Sequence, residues 1–153
     1  LQVSGRSGRR GEAGKVIIQT SNPNHPLFSF VIQHRVTEFL DEQLQDRQQH
    51  HYPPFTRLIE ITLKHTDRSA AAKAAQYVAR RIRETMSGLR MTGPGEPIIS
   101  KIRNEYLQSL LLKIPRNQGR LGEIKSSLLA IADELHADKS LRGTKVVFDV
   151  DPV

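Results

Sequence analysis

The chain has 153 residues, carries 23 Lys and Arg against 16 Asp and Glu for a net charge of +7, and contains no cysteine. Its length suits one ordinary domain, or a small domain with a piece of another, and leaves room for a buried core. Without cysteine there are no disulfides, thiolate metal sites or cysteine nucleophiles; a mean hydropathy of −0.45 with no apolar run near the roughly 20 residues of a bilayer span excludes a membrane helix; and a pI of about 10.1 points to a polyanionic partner.

The first residues, Gln2 to Arg9, read Gln-x-x-Gly-Arg-x-Gly-Arg. Two guanidiniums three residues apart fall on one side of a helical turn, and the glycines let backbone approach an anion closely. Such a pair of planar, always-charged forks suits a phosphate clamp aimed at a nucleotide's terminal phosphate. The same pattern suits a loose Gly/Arg/Ser arm, and the residues alone leave both readings open. The start is polar and glycine-rich with no apolar core, so no signal peptide is expected. It also has no initiator Met, and the expectation is a piece of a longer protein. Lys15-Val16-Ile17-Ile18-Gln19-Thr20 is β-branched between turn formers and reads as a short strand, with sheet partners expected upstream.

Asn22 to Pro26 is a turn, after which Val36, Phe39, Leu40 and Leu44 form a helical apolar stripe with an exposed polar tail from Gln45 to His51. Tyr52-Pro53-Pro54-Phe55 stops that helix, because the residue before a proline is pushed out of the α region. This divides the chain into residues 1–21, a helical connector over 22–54, and a compact domain over 55–153. In the domain, Ile59, Ile61 and Leu63 alternate with polar residues as a strand. Ser69 to Leu89 reads as a helix with Ser69 as N-cap and Ala71, Ala75, Val78, Ile82 and Met86 inward. Gly93 to Pro97 reads as a loop, and Ile98–Arg103 with Tyr106–Ile114 as a hairpin turning at Asn104. A second helix carries Leu121, Ile124, Leu128, Ile131 and Leu135 inward, and Val146, Phe148 and Val150 mark a last strand. The sum, β-α-β-β-α-β, predicts an α+β domain with the split arrangement of ferredoxin-like folds.

Six histidines, at 25, 34, 50, 51, 65 and 136, include no i,i+4 pair on a helix and have no cysteine to assist them, so no metal site is expected. Asp149 and Asp151 share one strand face, where solvent or an arginine pair accounts for them better than a metal would. No phosphate loop and no serine on a strained elbow occurs, so no catalytic residue is assigned within the chain. The basic surplus lies in the middle: residues 59–115 hold ten Lys/Arg against five Asp/Glu, while residues 116–153 hold six of each. Lys73, Arg80 and Arg83 face away from the first domain helix's apolar stripe, with Tyr77 beside them; Lys101 and Arg103 share one face of the strand expected at Ile98–Arg103, next to the turn and Tyr106. Arg80, Arg83, Lys101, Arg103 and Tyr106 are the candidate DNA contacts, cations for phosphates and an aromatic for an unpaired base. A solvated helix face pairing with Glu84, and a Tyr106 packed in the core, account for the same residues without DNA.

Taken together, these segments resemble the C-terminal end of the primosomal protein N-prime (PriA) family of bacterial replication-restart DNA helicases. Gln2 to Arg9 is similar to the last helicase motif of superfamily-two enzymes. The strand at Gly14–Thr20, Pro23-x-His25-Pro26, Tyr52-Pro53-Pro54-Phe55, Gly93-Pro94, Leu110-Leu111-Leu112-Lys113 and Asp149-Val150-Asp151-Pro152 follow in the family's order. The resemblance implies that Gln2, Gly5, Arg6 and Arg9 belong to an ATP site in the intact protein, which uses ATP and Mg and carries zinc in a region this sequence does not include. It implies branched DNA, single-stranded DNA-binding protein and other primosome proteins as partners, and the bacterial cytoplasm as location. Arg116 and Arg120 are the candidates for receiving the acidic tail of single-stranded DNA-binding protein. On this reading the chain alone is catalytically inactive. The alternative is a free-standing basic ferredoxin-like module that binds RNA, DNA or protein.

Overall fold

A computed structural model describes residues 16–116 and 119–152 of the chain. It divides into two compact units, Leu1–Asp46 and Arg47–Val153.

In the first unit, Val16 to Thr20 form no strand and are exposed. The strand expected at Lys15–Thr20 is thus absent from its described part, and a β-branched run with no neighbour to bond has nothing to hold it extended. Helix α1 spans Pro26–Ile32, its N-terminus capped by His25 Nδ1, which accepts from the Leu27 N–H at 3.2 Å. Helix α2 spans Val36–Gln49 and carries the expected stripe, with Phe39 meeting Phe30 at 5.8 Å between ring centroids. The stripe is only half-covered: Leu40 and Leu44 remain exposed.

The second unit is α+β, as the element pattern predicted. Strand β1 (Thr56–His65) is followed by helix α3 (Arg68–Thr85), strands β2 (Arg90–Gly95), β3 (Lys101–Ile102) and β4 (Glu105–Pro115), helix α4 (Leu121–Ala137) and strand β5 (Lys145–Val150). The sheet is antiparallel in the order β2-β4-β1-β5, with β3 paired to β4 off that path. Ile59, Ile61 and Leu63 of β1 lie opposite Leu112, Leu110 and Gln108 of β4. They form a continuous core with Ala74, Ala75, Val78, Ala79 and Ile82 of α3 and Ile124, Leu128, Ile131 and Leu135 of α4. The alternation and the 3.6 period in the sequence find their cause here, because both helices bury their stripes in one core with these strand residues.

Four boundaries differ from the sequence reading. The cap of α3 is Asp67, whose carboxylate accepts from the Ala70 N–H at 2.7 Å; Ser69 is already inside the helix, which ends four residues before Leu89. Of the segment expected as a loop over Gly93–Pro97, Gly93 to Gly95 belong to β2 and only Glu96 and Pro97 remain loop, and the strand expected at Ile98–Arg103 shrinks to Lys101–Ile102. Gly93 and Pro94 are tolerated because β2 is an edge strand with a register shift between Thr92 and Gly95, where Pro need donate no ladder bond. Gly93 itself has φ +95°, and a Cβ there would stand 2.7 Å from the Ser109 carbonyl oxygen.

Gly93→Ala therefore has to pry β2 from β4 and should destabilise the unit by about 1–3 kcal/mol. Gly95→Ala meets nothing within 4 Å and should stay within about 0.5 kcal/mol of the parent in denaturant unfolding.

Candidate nucleic-acid interface

Two basic surfaces and one small pocket of mixed polar and apolar lining rest on this frame. At the first surface, β3 returns into β4 through a two-residue turn in which Arg103 and Asn104 have φ +48° and +65°. Positive φ at both positions defines the tight hairpin turn whose twist suits the flanking strands. Asn takes it readily and Arg does not, so Arg103 is held in a sparsely populated conformation at the exposed tip. Lys101 lies opposite Tyr106, its Nζ 4.6 Å from the ring centroid and 3.4 Å from the hydroxyl. Tyr106 in turn lies opposite His65, the last residue of β1, so this hairpin stands at the end of the sheet from which α3 departs. The Tyr106 ring is half-buried under its lysine rather than packed in the core.

At the second surface, α3 and the turns between α4 and β5 border an open groove lined by Lys73, Tyr77, Arg80, Arg83, Ser140 and Leu141. The outward face predicted for Lys73, Arg80 and Arg83 is thus one side of a groove. Arg80 lies over the Tyr77 ring at 5.5 Å and reaches Glu84 at 3.8 Å.

Sequence reasoning passed over Arg81, which fixes this surface to the rest of the fold. Its Nε and Nη2 donate to both carboxylate oxygens of Glu134 on α4, at 2.8 and 3.0 Å, and its Nη1 donates to Glu84 at 2.9 Å. The Tyr77 hydroxyl donates to the same Glu134 carboxylate at 3.3 Å. Glu134 stands 53 residues from Arg81 in the sequence, so no local pattern announces the pair. Hydrogen bonding to Arg81 holds the Glu134 carboxyl below its ordinary value, and hydrogen bonding to Glu134 and then to Glu84 raises the guanidinium. A second two-pronged pair, Arg68 to Glu96 at 2.7 and 2.9 Å, ties the start of α3 to the loop after β2 and lowers the Glu96 carboxyl.

Arg120 is the residue before α4 and bonds Glu123 at 3.2 Å without a side-chain cap. It borders a small pocket with Met86, Leu89 and Ile124. Arg116 is exposed just after β4. Gln2, Gly5, Arg6 and Arg9 lie outside the described residues. Asp151 has left the strand pattern at φ +54°: its carboxylate accepts from the Leu58 N–H at 3.1 Å and lies 3.9 Å from Arg57, the arginine pairing weighed for these aspartates. Among the described residues, no three His, Asp or Glu come together as a metal site would require.

Several comparisons bear on this arrangement. Residues 48–153 match the family model described as Primosomal protein N C-terminal domain. The replication restart protein PriA of Synechocystis is 30% identical over 151 residues, which covers 98% of this chain and 17% of that protein. Its namesake in Haemophilus influenzae is 31% identical over 99% of this chain and 20% of its own length. The one in Treponema pallidum is 30% identical over 100% of this chain and 22% of its own length. The chain thus spans about a fifth of these curated relatives.

The clamp on Glu134 has a pH signature. Because its carboxyl is lowered from the ordinary 4.5, the stability it contributes is present above that value and is lost as pH falls through the lower folded one. Glu134→Gln should therefore lower the melting temperature most near neutrality, and the gap to the parent should close as melts are repeated down the acid range.

Proposed function

The chain belongs to the Primosomal protein N C-terminal domain family, and from that membership we propose that it is the C-terminal part of an ATP-dependent DNA helicase of replication restart, acting in the bacterial cytoplasm. On this reading residues 1–21 end the second helicase lobe, residues 22–54 connect, and residues 55–153 bind DNA and partners. The sheet order and helix placement of that last part fit the ferredoxin-like split arrangement. Gln2, Gly5, Arg6 and Arg9 contribute to an ATP–Mg site completed elsewhere in the intact protein, whose zinc-binding region also lies elsewhere. With no phosphate loop in its sequence, the chain by itself hydrolyses no ATP.

The observation that carries the DNA role is the hairpin. Lys101 and Arg103 project from a tight turn, and Tyr106 presents a ring beneath the lysine, which combines phosphate contact with a stacking surface. The groove with Lys73, Tyr77, Arg80 and Arg83 offers a second phosphate track. A free-standing basic module is the weaker reading, because relatives that are replication restart proteins match nearly the whole chain, including the residues before the domain. Arg120, beside the pocket of Met86, Leu89 and Ile124, with Arg116 near it in sequence, is proposed to receive the acidic tail of single-stranded DNA-binding protein.

Phosphate neutralisation makes log K for a forked DNA fall linearly with log salt. The Lys101→Glu/Arg103→Glu double variant should weaken fork binding by roughly tenfold or more, two phosphate contacts being lost and replaced by repulsion. A salt-independent affinity, or an unchanged one in the double variant, overturns the DNA role of the hairpin. For the tail site, Arg120→Ala should weaken binding of an acidic, aromatic-ended peptide in anisotropy titrations while leaving fork affinity in place.

A further inference from the structure

The loop that leads into the hairpin carries apolar side chains where a soluble surface has little reason to keep them. Ile98 is 105% exposed, Ile99 64% and Ile102 45%. Single exposed isoleucines are ordinary, but three within five residues, in the loop and the short strand it enters, concentrate apolar surface that seeks a partner.

The patch is also held in shape. Arg68 grips Glu96 at the loop's start through two hydrogen bonds, and the Leu107 N–H donates to the Ser100 carbonyl at 2.9 Å. Arg103 and Asn104 then lock the far end in the left-handed region. Ordering cost is largely met before any ligand arrives.

Charge narrows the choice of ligand. Lys101 and Arg103 flank Ile102 directly in sequence. The acids nearest in sequence are each engaged by a cation, Glu96 by Arg68 and Glu105, which lies opposite Ile102, by Lys145 at 2.7 Å. An apolar tip flanked by two cations that no carboxylate pairs among the described residues suits a polyanion that also offers apolar faces. Nucleic acid with an unpaired or easily unstacked base has both, whereas paired duplex hides its base faces. Apolar side chains inserted at base steps, with cations on the adjoining phosphates, are an established way to open a stack.

Resting on the DNA-binding reading above, we propose that Ile98, Ile99 and Ile102 form an apolar wedge that seats against an unstacked base at a junction of single- and double-stranded DNA, with Lys101 and Arg103 on the flanking phosphates. The division of labour is specific: the cations supply affinity and the isoleucines unstack.

The test uses the full chain and a forked duplex carrying 2-aminopurine at the branch, whose fluorescence rises as the base leaves the stack. Binding should raise the signal several-fold. The Ile98→Ser/Ile99→Ser/Ile102→Ser variant should lose most of that rise, with fork affinity changed by less than about threefold because the phosphate contacts remain. Ile98→Ser alone, at the most exposed of the three, should lose part of it and guards against misfolding of the triple variant. Lys101→Glu/Arg103→Glu should do the reverse, weakening affinity while the rise returns at saturating protein. A fork bound without any rise, or a triple variant that keeps the full rise, removes the wedge and leaves the DNA reading standing. A chain that ignores the fork and instead binds phosphatidylserine vesicles through these isoleucines overturns both.

Discussion

Everything in the second unit depends on the ten-residue antiparallel pairing of β1 with β4, from Thr56 opposite Pro115 to His65 opposite Tyr106. A shift of one residue would turn Ile59, Ile61 and Leu63 away from α3 and α4 and bring Glu60, Thr62 and Lys64 under them. The register therefore decides which face of the sheet is core. It also sets what stands at each end: at one, Lys113 lies 3.7 Å from the Tyr52 ring centroid and bonds the His50 carbonyl, fastening the residues after α2 to the sheet. At the other, the same ladder delivers Tyr106 and the basic hairpin to the point where α3 begins.

The two long-range clamps act at different levels. Arg81 with Glu134 joins the helices to one another over the sheet, and Arg68 with Glu96 joins a helix start to a loop. Both arginines are pointed, two-pronged donors meeting a carboxylate in its preferred geometry, for which a lysine would be a poor substitute. They lie at the solvent boundary, so what they contribute is orientation more than stability. Arg80 and Arg83, one residue before and two after Arg81, are left to face the groove.

Much of this frame is legible in the residues. The alternation over Ile59–Leu63 and the stripes from Ala71 to Met86 and from Ile124 to Leu135 each name a buried face, because burial imposes the period. The edge strand was not legible: Thr92-Gly93-Pro94-Gly95 has the composition of a loop, and only its position at the sheet's margin permits a strand there. The apolar run Ile98–Ile99, by contrast, has strand composition and no strand neighbour. Lys101, Arg103 and Tyr106 could be picked out as a cluster since their proximity is local. Arg81 and Arg68 could not, their partners being brought up by the fold.

The last strand adds a mechanical property. Since β5 runs antiparallel beside β1, the chain enters the unit's sheet at Thr56 and leaves it at Asp151 on the same end. A pulling load applied between those points does not shear the pair along its length. It peels β5 from β1 one residue at a time, starting at the two bonds between Leu58 and Asp151 and the nearby Arg57. Asp151 thus acts as the latch on a zipper, and the sheet's resistance to a tug through the backbone is set at that corner rather than in its core.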